Sequence, residues 1–140
     1  MSLSELIIPE NLLKAMRDHC IACLPDEACG ILSGREGRVS RIYPMTNKEP
    51  SPVSYLADSR EQLRIQKEMR EKNEGMLAIF HSHPRSPAYP SAKDVSLAFY
   101  DDAVYVIVGL TESGVSEIRA FTIAEGVVTE IPLRSAGDSC

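Results

Sequence analysis

The 140-residue sequence predicts an α/β fold in a single domain, a sheet flanked by helices, on three observations. Segments 76–80 and 103–110 are strongly apolar and in part β-branched or aromatic, the composition of strands buried on both faces. Segments 9–25 and 58–73 carry apolar residues at helical spacing. Elsewhere Gly and Pro cut the chain into short alternating runs, the pattern of hairpins. A chain of this length buries roughly two-thirds of the surface its unfolded form exposes, so it folds without staples. The domain is expected over 1–134, with 135–140 a loose tail.

The elements follow in order. Pro9 opens the first helix, because the N–H it lacks at a first turn would be unpaired anyway, and Leu12, Leu13, Met16, Cys20 and Cys23 continue it towards Pro25. Strands over 28–33 and 38–43 form a hairpin across Gly34 and Gly37. The stretch 44–52 is a Pro-, Asn- and Ser-rich loop, followed by a short strand at 53–56. Asp58 caps the second helix, with Glu61 in capping-box position, and Gly75 breaks it after Asn73. The apolar strands 76–80 and 103–110 make the centre of the sheet, separated by a short helix over 91–100 with Val95, Ala98 and Phe99 on one face. A hairpin of 115–123 and 127–133 closes the domain across Glu125 and Gly126.

The formal charge of −5 is spread along the chain without runs of either sign, which disfavours nucleic acid as a partner. No basic start and no long apolar stretch marks an export signal or a membrane span, so a cytoplasmic protein is expected. The four cysteines, Cys20, Cys23, Cys29 and Cys140, then read as reduced and mostly buried thiols. Cys20 and Cys23 form a C-x-x-C pair, but a zinc ribbon needs a second one, and their spacing suits one face of a helix.

The residues that carry chemistry lie together. Two of the three histidines, His81 and His83, directly follow the apolar strand 76–80. In an extended chain residues i and i+2 point to the same side, so both imidazoles can reach one ion. Ser91 and Asp94 stand at the start of the next helix, beyond a loop with Pro84, Pro87 and Pro90. Two nitrogens and one carboxylate oxygen, with a coordination position left open, is the ligand count of a catalytic zinc. Alone, a strand-end histidine is usually structural, and Ser91 with Asp94 is an ordinary helix cap favoured by the helix dipole. It is the combination that points to a metal. His19 sits in the first helix and reads as structural or exposed. The His-Glu-x-x-His string of zincins, the Pro-Cys-x-x-Cys of zinc deaminases and the Gly-x-Ser-x-Gly of serine hydrolases are all absent.

Glu27, then His81-x-His83, seven residues, Ser91, two residues and Asp94 resembles the motif of the JAMM metalloproteases, also called MPN-plus domains. The run 25–34 resembles that family's first strand, and His83-Pro84 with Pro90-Ser91 its bacterial members. The resemblance covers nearly the whole chain. It implies a mixed, mostly antiparallel central sheet with cytidine-deaminase-like layering. It implies one Zn2+ per chain on His81, His83 and Asp94, with Glu27 as general base and Ser91 stabilising the oxyanion. From the residues alone Asp26 is as good a carboxylate as Glu27, and the family pattern selects Glu27. Cys29 would face the side of Glu27 on a strand, either as an added metal ligand or as a small buried thiol beside the site.

The family cleaves peptide or isopeptide bonds after the C-terminal glycines of ubiquitin or ubiquitin-like proteins. The short chain resembles compact bacterial members acting on a ubiquitin-like sulfur carrier protein ending in Gly-Gly, in cysteine or cofactor biosynthesis. A deubiquitinase-like isopeptidase and a non-catalytic MPN scaffold are the alternatives, and a scaffold would carry a damaged motif. Arg85, Ser86 and Tyr89 in the loop over the site, and the stretch from Asn47 to Tyr55 as its other wall, are expected to contact the substrate tail. The resemblance leaves room for a homodimer.

Overall fold

A computed structural model describes residues 3–111 and 113–137. Eight strands and three helices follow as β1 (Leu6–Pro9), α1 (Glu10–Ala22), β2 (Cys29–Arg35), β3 (Arg38–Met45), α2 (Ser59–Glu71), β4 (Gly75–His83), α3 (Ala92–Ser96), β5 (Val104–Thr111), β6 (Gly114–Ala124), β7 (Val127–Ile131) and β8 (Leu133–Ala136). The strands join in one sheet of order β7-β6-β5-β4-β2-β3-β1-β8. The pairings of β1 with β3 and β8, and of β4 with β5, are parallel, and the other four are antiparallel. The expected mixed, mostly antiparallel sheet is present.

Each face of the sheet has its own cover. Leu13, Met16 and Cys20 recur along α1 at spacings of three and four and pack on Leu32, Ala78, Phe80, Val104, Val106 and Val108, the main core. On the opposite face, Ile65 and Met69 of α2 cover Cys29, Ile31 and Met45. A third cluster of Ala88, Ile107 and Phe121 lies under the loop that follows β4. β5 is buried from Val104 to Leu110, as its unbroken apolar run requires. At the centre the backbones approach closely: a Cβ on Gly30 would stand 2.2 Å from the Phe80 ring and 2.7 Å from the Tyr43 carbonyl. Only glycine fits there.

The structure departs from the expected elements at four places. Residues 6–9 form β1, which pairs in parallel with β8 from Leu6–Leu133 to Pro9–Ala136. Ser135 and Ala136, expected in a loose tail, are therefore laddered strand residues, held by a segment over a hundred positions away that local pattern does not reveal. Residues 138–140, Cys140 among them, lie outside the described residues. The short strand expected at 53–56 does not form. Instead the Asn47 side chain takes up the loop's backbone groups, accepting from Glu49 and Leu56 N–H and donating to the Ser54 carbonyl, with one isolated bridge between Asn47 and Ala57.

Two helices also differ in detail. α3 stops at Ser96, not near 100; of the expected apolar face Val95 and Ala98 are partly buried, while Phe99 is 75% exposed. Asp58 caps α2 as expected, accepting from Arg60 N–H at 2.8 Å and Glu61 N–H at 3.2 Å. The Glu61 carboxylate, however, binds the Thr46 N–H and hydroxyl at 2.7 and 2.8 Å and so fastens the loop after β3 to the helix. No helix among the described residues is long and apolar enough to cross a membrane.

Candidate metal centre

The histidines stand at the end of β4, one on each side of Ser82. Ser82 faces away from them and stitches β4 to the start of β2, its N–H donating to the Ala28 carbonyl and its hydroxyl accepting the Ala28 N–H at 2.8 Å. His81 pairs with Cys29 across the sheet and His83 follows on the same face, as the strand period requires. Their ring centroids are 4.9 Å apart. His83 Nδ1 donates to the Pro87 carbonyl at 2.8 Å, which turns its Nε2 towards His81 and Asp94. The Tyr55 ring lies 5.1 Å from that of His81, tilted by 30°.

Asp94 completes the set from the first turn of α3. Its Oδ2 stands 3.2 Å from His81 Nε2 and 3.0 Å from His83 Nε2, and the two nitrogens are 3.1 Å apart. The same Oδ2 accepts the Ser91 N–H at 2.9 Å, while Ser91 Oγ accepts the Asp94 N–H at 3.1 Å. The expected capping box is thus present, and it is also what aims the carboxylate. Three donor atoms at these spacings match the edges of a tetrahedron about a small divalent ion, about 3.3 Å for metal–ligand distances of about 2.0–2.1 Å. Among the described residues His81, His83 and Asp94 form a group able to hold a metal ion. Both histidines are buried, and so shielded from competing water.

Glu27 stands beside this group, just before β2. It is 4% exposed, and its Oε1 is buried without a hydrogen-bond partner. Burial pushes its carboxyl up to about 7, with the charges of His83, Asp94 and Lys93 acting more weakly on it. Its backbone is fixed on both sides, the N–H on the Ser51 carbonyl at 2.8 Å and the carbonyl on Asn47 Nδ2 at 3.0 Å. Asp94 sits in the opposite regime. Burial works against its charge, but the hydrogen bonds from His81 and His83 prevail and hold it well below the usual carboxylate range. His83 is raised, since the Asp94 and Pro87 hydrogen bonds outweigh its burial.

The remaining expected site residues divide. Cys29 is 1% exposed, and its thiol points to the Thr46 carbonyl at 3.9 Å, outside the metal group, which favours a buried thiol over a ligand. Tyr55 lines a cleft with Ser54, His81, Lys93, Asp94, Leu97 and Tyr105. That cleft adjoins an apolar cavity of about 240 Å³ that shares Tyr55, Leu97 and Tyr105 with it. Arg85 and Ser86 are exposed at the loop tip. Tyr89, exposed in the same loop, stands at 79° to Phe121, with ring centroids 5.3 Å apart.

His19 proves structural, its Nε2 3.1 Å from the Cys29 carbonyl and its ring edge-on to Phe80. Sequence reasoning placed Asn47 in the wall of the site but missed that it braces Glu27, and it missed Pro87, whose carbonyl holds His83. For Asn47 the one signal was an amide in a Pro- and Ser-rich loop; for Pro87 there was none, since the contact uses a backbone oxygen.

The chain matches the family of prokaryotic homologs of the JAB domain (Prok-JAB) over residues 9–124. It is 45% identical over 130 residues to the CysO-cysteine peptidase of Mycobacterium tuberculosis, covering 91% of this chain and 89% of that protein. It is 38% identical over 122 residues to a Thermus thermophilus protein named "Probable TtuB-protein conjugate cleaving protease", covering 86% and 78%. Among solved structures, a solution structure of a protein from Desulfitobacterium hafniense superposes with a TM-score of 0.85 at 36% identity, covering 95% of this chain and 94% of that one. With the metal group, the buried carboxyl and these likenesses together, the chain belongs to the prokaryotic homologs of the JAB domain, the compact bacterial branch of the JAMM family.

Proposed function

We propose that the protein is a zinc-dependent peptidase that hydrolyses the bond after the C-terminal Gly-Gly of a ubiquitin-like sulfur carrier protein. The observation that carries the reading is the meeting of His81 Nε2, His83 Nε2 and Asp94 Oδ2 at 3.0 to 3.2 Å. A buried glutamate lies beside it. A zinc ion, held by His81, His83 and Asp94, would supply Lewis acidity, polarising a carbonyl and making a nearby water more acidic.

The chain's own groups supply the rest. Glu27, buried beside the group, is placed to take a proton from the attacking water and to give it to the departing amine. Its free Oε1 is an acceptor for that proton. Ser91 Oγ already accepts the Asp94 N–H, so its own hydrogen is available to donate to the developing oxyanion. The exposed strip of Arg85 and Ser86 and the cleft wall at Tyr55 would bind the extended tail. The likeness to a CysO-cysteine peptidase and to a protease of TtuB conjugates supports a carrier-linked substrate. An extended Gly-Gly tail suits a groove that holds backbone rather than bulky side chains.

The test is hydrolysis of a ubiquitin-like carrier bearing one cysteine beyond Gly-Gly, followed by intact mass. Loss of the added cysteine, abolished by a chelator, restored by zinc and missing in Glu27→Gln, is the expected result. Cleavage of isopeptide-linked conjugates alone would favour a deubiquitinase-like role. Tight binding of carriers with no cleavage of any kind would favour a scaffold.

A further inference from the structure

The loop from Pro84 to Pro90 joins two of the metal ligands, and it is tied down from inside the protein. Its Pro87 carbonyl accepts from His83 Nδ1 at 2.8 Å. Ala88, fully buried, packs between Ile107 and Phe121. The Tyr89 ring meets Phe121 at 79°. Over both rings lies Arg119, its Cζ 5.7 Å from the Tyr89 centroid and 5.3 Å from that of Phe121.

Strand geometry explains why Arg119 stands there. Arg119 and Phe121 are two apart on β6 and share the face that carries the metal centre, with Ile107 opposite Arg119. Glu130 of β7 pairs with Phe121 and is therefore diagonal to Arg119 on that face. It holds the guanidinium as a fork, Nε to Oε2 at 2.9 Å and Nη2 to Oε1 at 2.7 Å. A guanidinium gripped in this way is held with its charge within cation–π distance of both rings.

We propose that Arg119, clamped by Glu130, is a positioning residue for the metal centre. By pressing Tyr89 onto Phe121 it fixes the loop whose Pro87 carbonyl orients the His83 ring. Groups that hold a metal-binding histidine by its second nitrogen set both its tautomer and its direction. Arg119 acts one contact further out, through the loop. The proposal rests on the metal-centre reading, and its test keeps the two apart.

Arg119→Ala, Arg119→Lys and Glu130→Gln are compared with the parent by two readouts. Zinc affinity is measured by chelator competition, and the proton on the His83 ring is followed in the metal-free protein by long-range 15N–1H correlation at alkaline pH. Arg119→Ala is expected to bind zinc about tenfold more weakly and to shift the His83 ring signals away from those of the parent, as the Pro87 contact loosens. Arg119→Lys, which keeps a cation but not the fork, should fall between it and the parent. Glu130→Gln, the mildest change, keeps the question answerable if Arg119→Ala does not fold, and is expected to shift both readouts the same way. An unchanged His83 spectrum in the folded variants overturns the proposal, whatever happens to zinc affinity. If the parent itself takes up no zinc, the metal-centre reading fails, and the His83 spectrum alone decides the role of Arg119.

Discussion

Ser91 and Asp94 hold each other through two hydrogen bonds, Ser91 N–H to Asp94 Oδ2 at 2.9 Å and Asp94 N–H to Ser91 Oγ at 3.1 Å. The oxygen that caps the helix is the one that faces both histidines. In the proposed metal centre, helix capping and the placing of a ligand oxygen are therefore one arrangement. A carboxylate on a free loop would lose rotational freedom on meeting a metal, whereas this one has lost it already.

Ser91→Ala separates the two roles of the serine. The backbone N–H that aims Asp94 survives, so zinc binding should persist, with about 1 kcal/mol of cap stability lost. If the hydroxyl also donates to the oxyanion, turnover falls by on the order of a hundredfold. Stopped or steady-state hydrolysis rates decide it, and an unchanged rate makes Ser91 a cap alone.

Glu27→Gln should keep zinc and lose turnover. It also carries a stability signature in the metal-free protein. The unfolded glutamate titrates near 4.5 and the folded one at about 7, so between these values the folded state holds more protons. Stability therefore falls as pH rises through this window, by on the order of 1–3 kcal/mol. Denaturant unfolding of the metal-free parent from pH 4.5 to 7 should show this slope, and Glu27→Gln should flatten it. Equal slopes in both proteins would show that Glu27 is not desolvated.

Burial pushes the Cys20 and Cys29 thiols up to about 12, while the half-buried Cys23 is raised by less complete burial and by Asp26. Since the thiolate is the reactive form, Cys20 and Cys29 should resist iodoacetamide at pH 8 in the native protein and react once it is unfolded. Peptide mapping reads this directly. Rapid native labelling of Cys29 would contradict its buried position beside His81.

The pattern-bearing parts of the fold and site could be read from sequence because they are local. The strand-phased His81 and His83, the Ser91–Asp94 cap and the apolar runs of β4 and β5 each follow from a period or a spacing. What stayed hidden depends on residues far apart in the chain. β1 and β8 make four-residue pairings between opposite ends, and Glu61 turns from its own helix start to Thr46. The contact of Tyr89 with Phe121, a partner 32 positions later, is likewise one that no local pattern announces.

Gly30→Ala tests the close approach of β2 to β4. The added methyl would meet Phe80 at 2.2 Å and the Tyr43 carbonyl at 2.7 Å, and Phe80 is fully buried and cannot swing away. A loss of about 1–3 kcal/mol is expected in denaturant unfolding, while a neutral effect would mean that the two strands can part at that point.

The most direct test of the metal centre is the zinc content of the purified protein by elemental mass spectrometry, beside a His83→Ala variant prepared in the same way. The expected result is about one zinc per chain in the parent, the count for a single catalytic site, and little in the variant. No zinc in either, even after incubation with the metal, would contradict the account and leave His81, His83 and Asp94 as a buried hydrogen-bonded cluster.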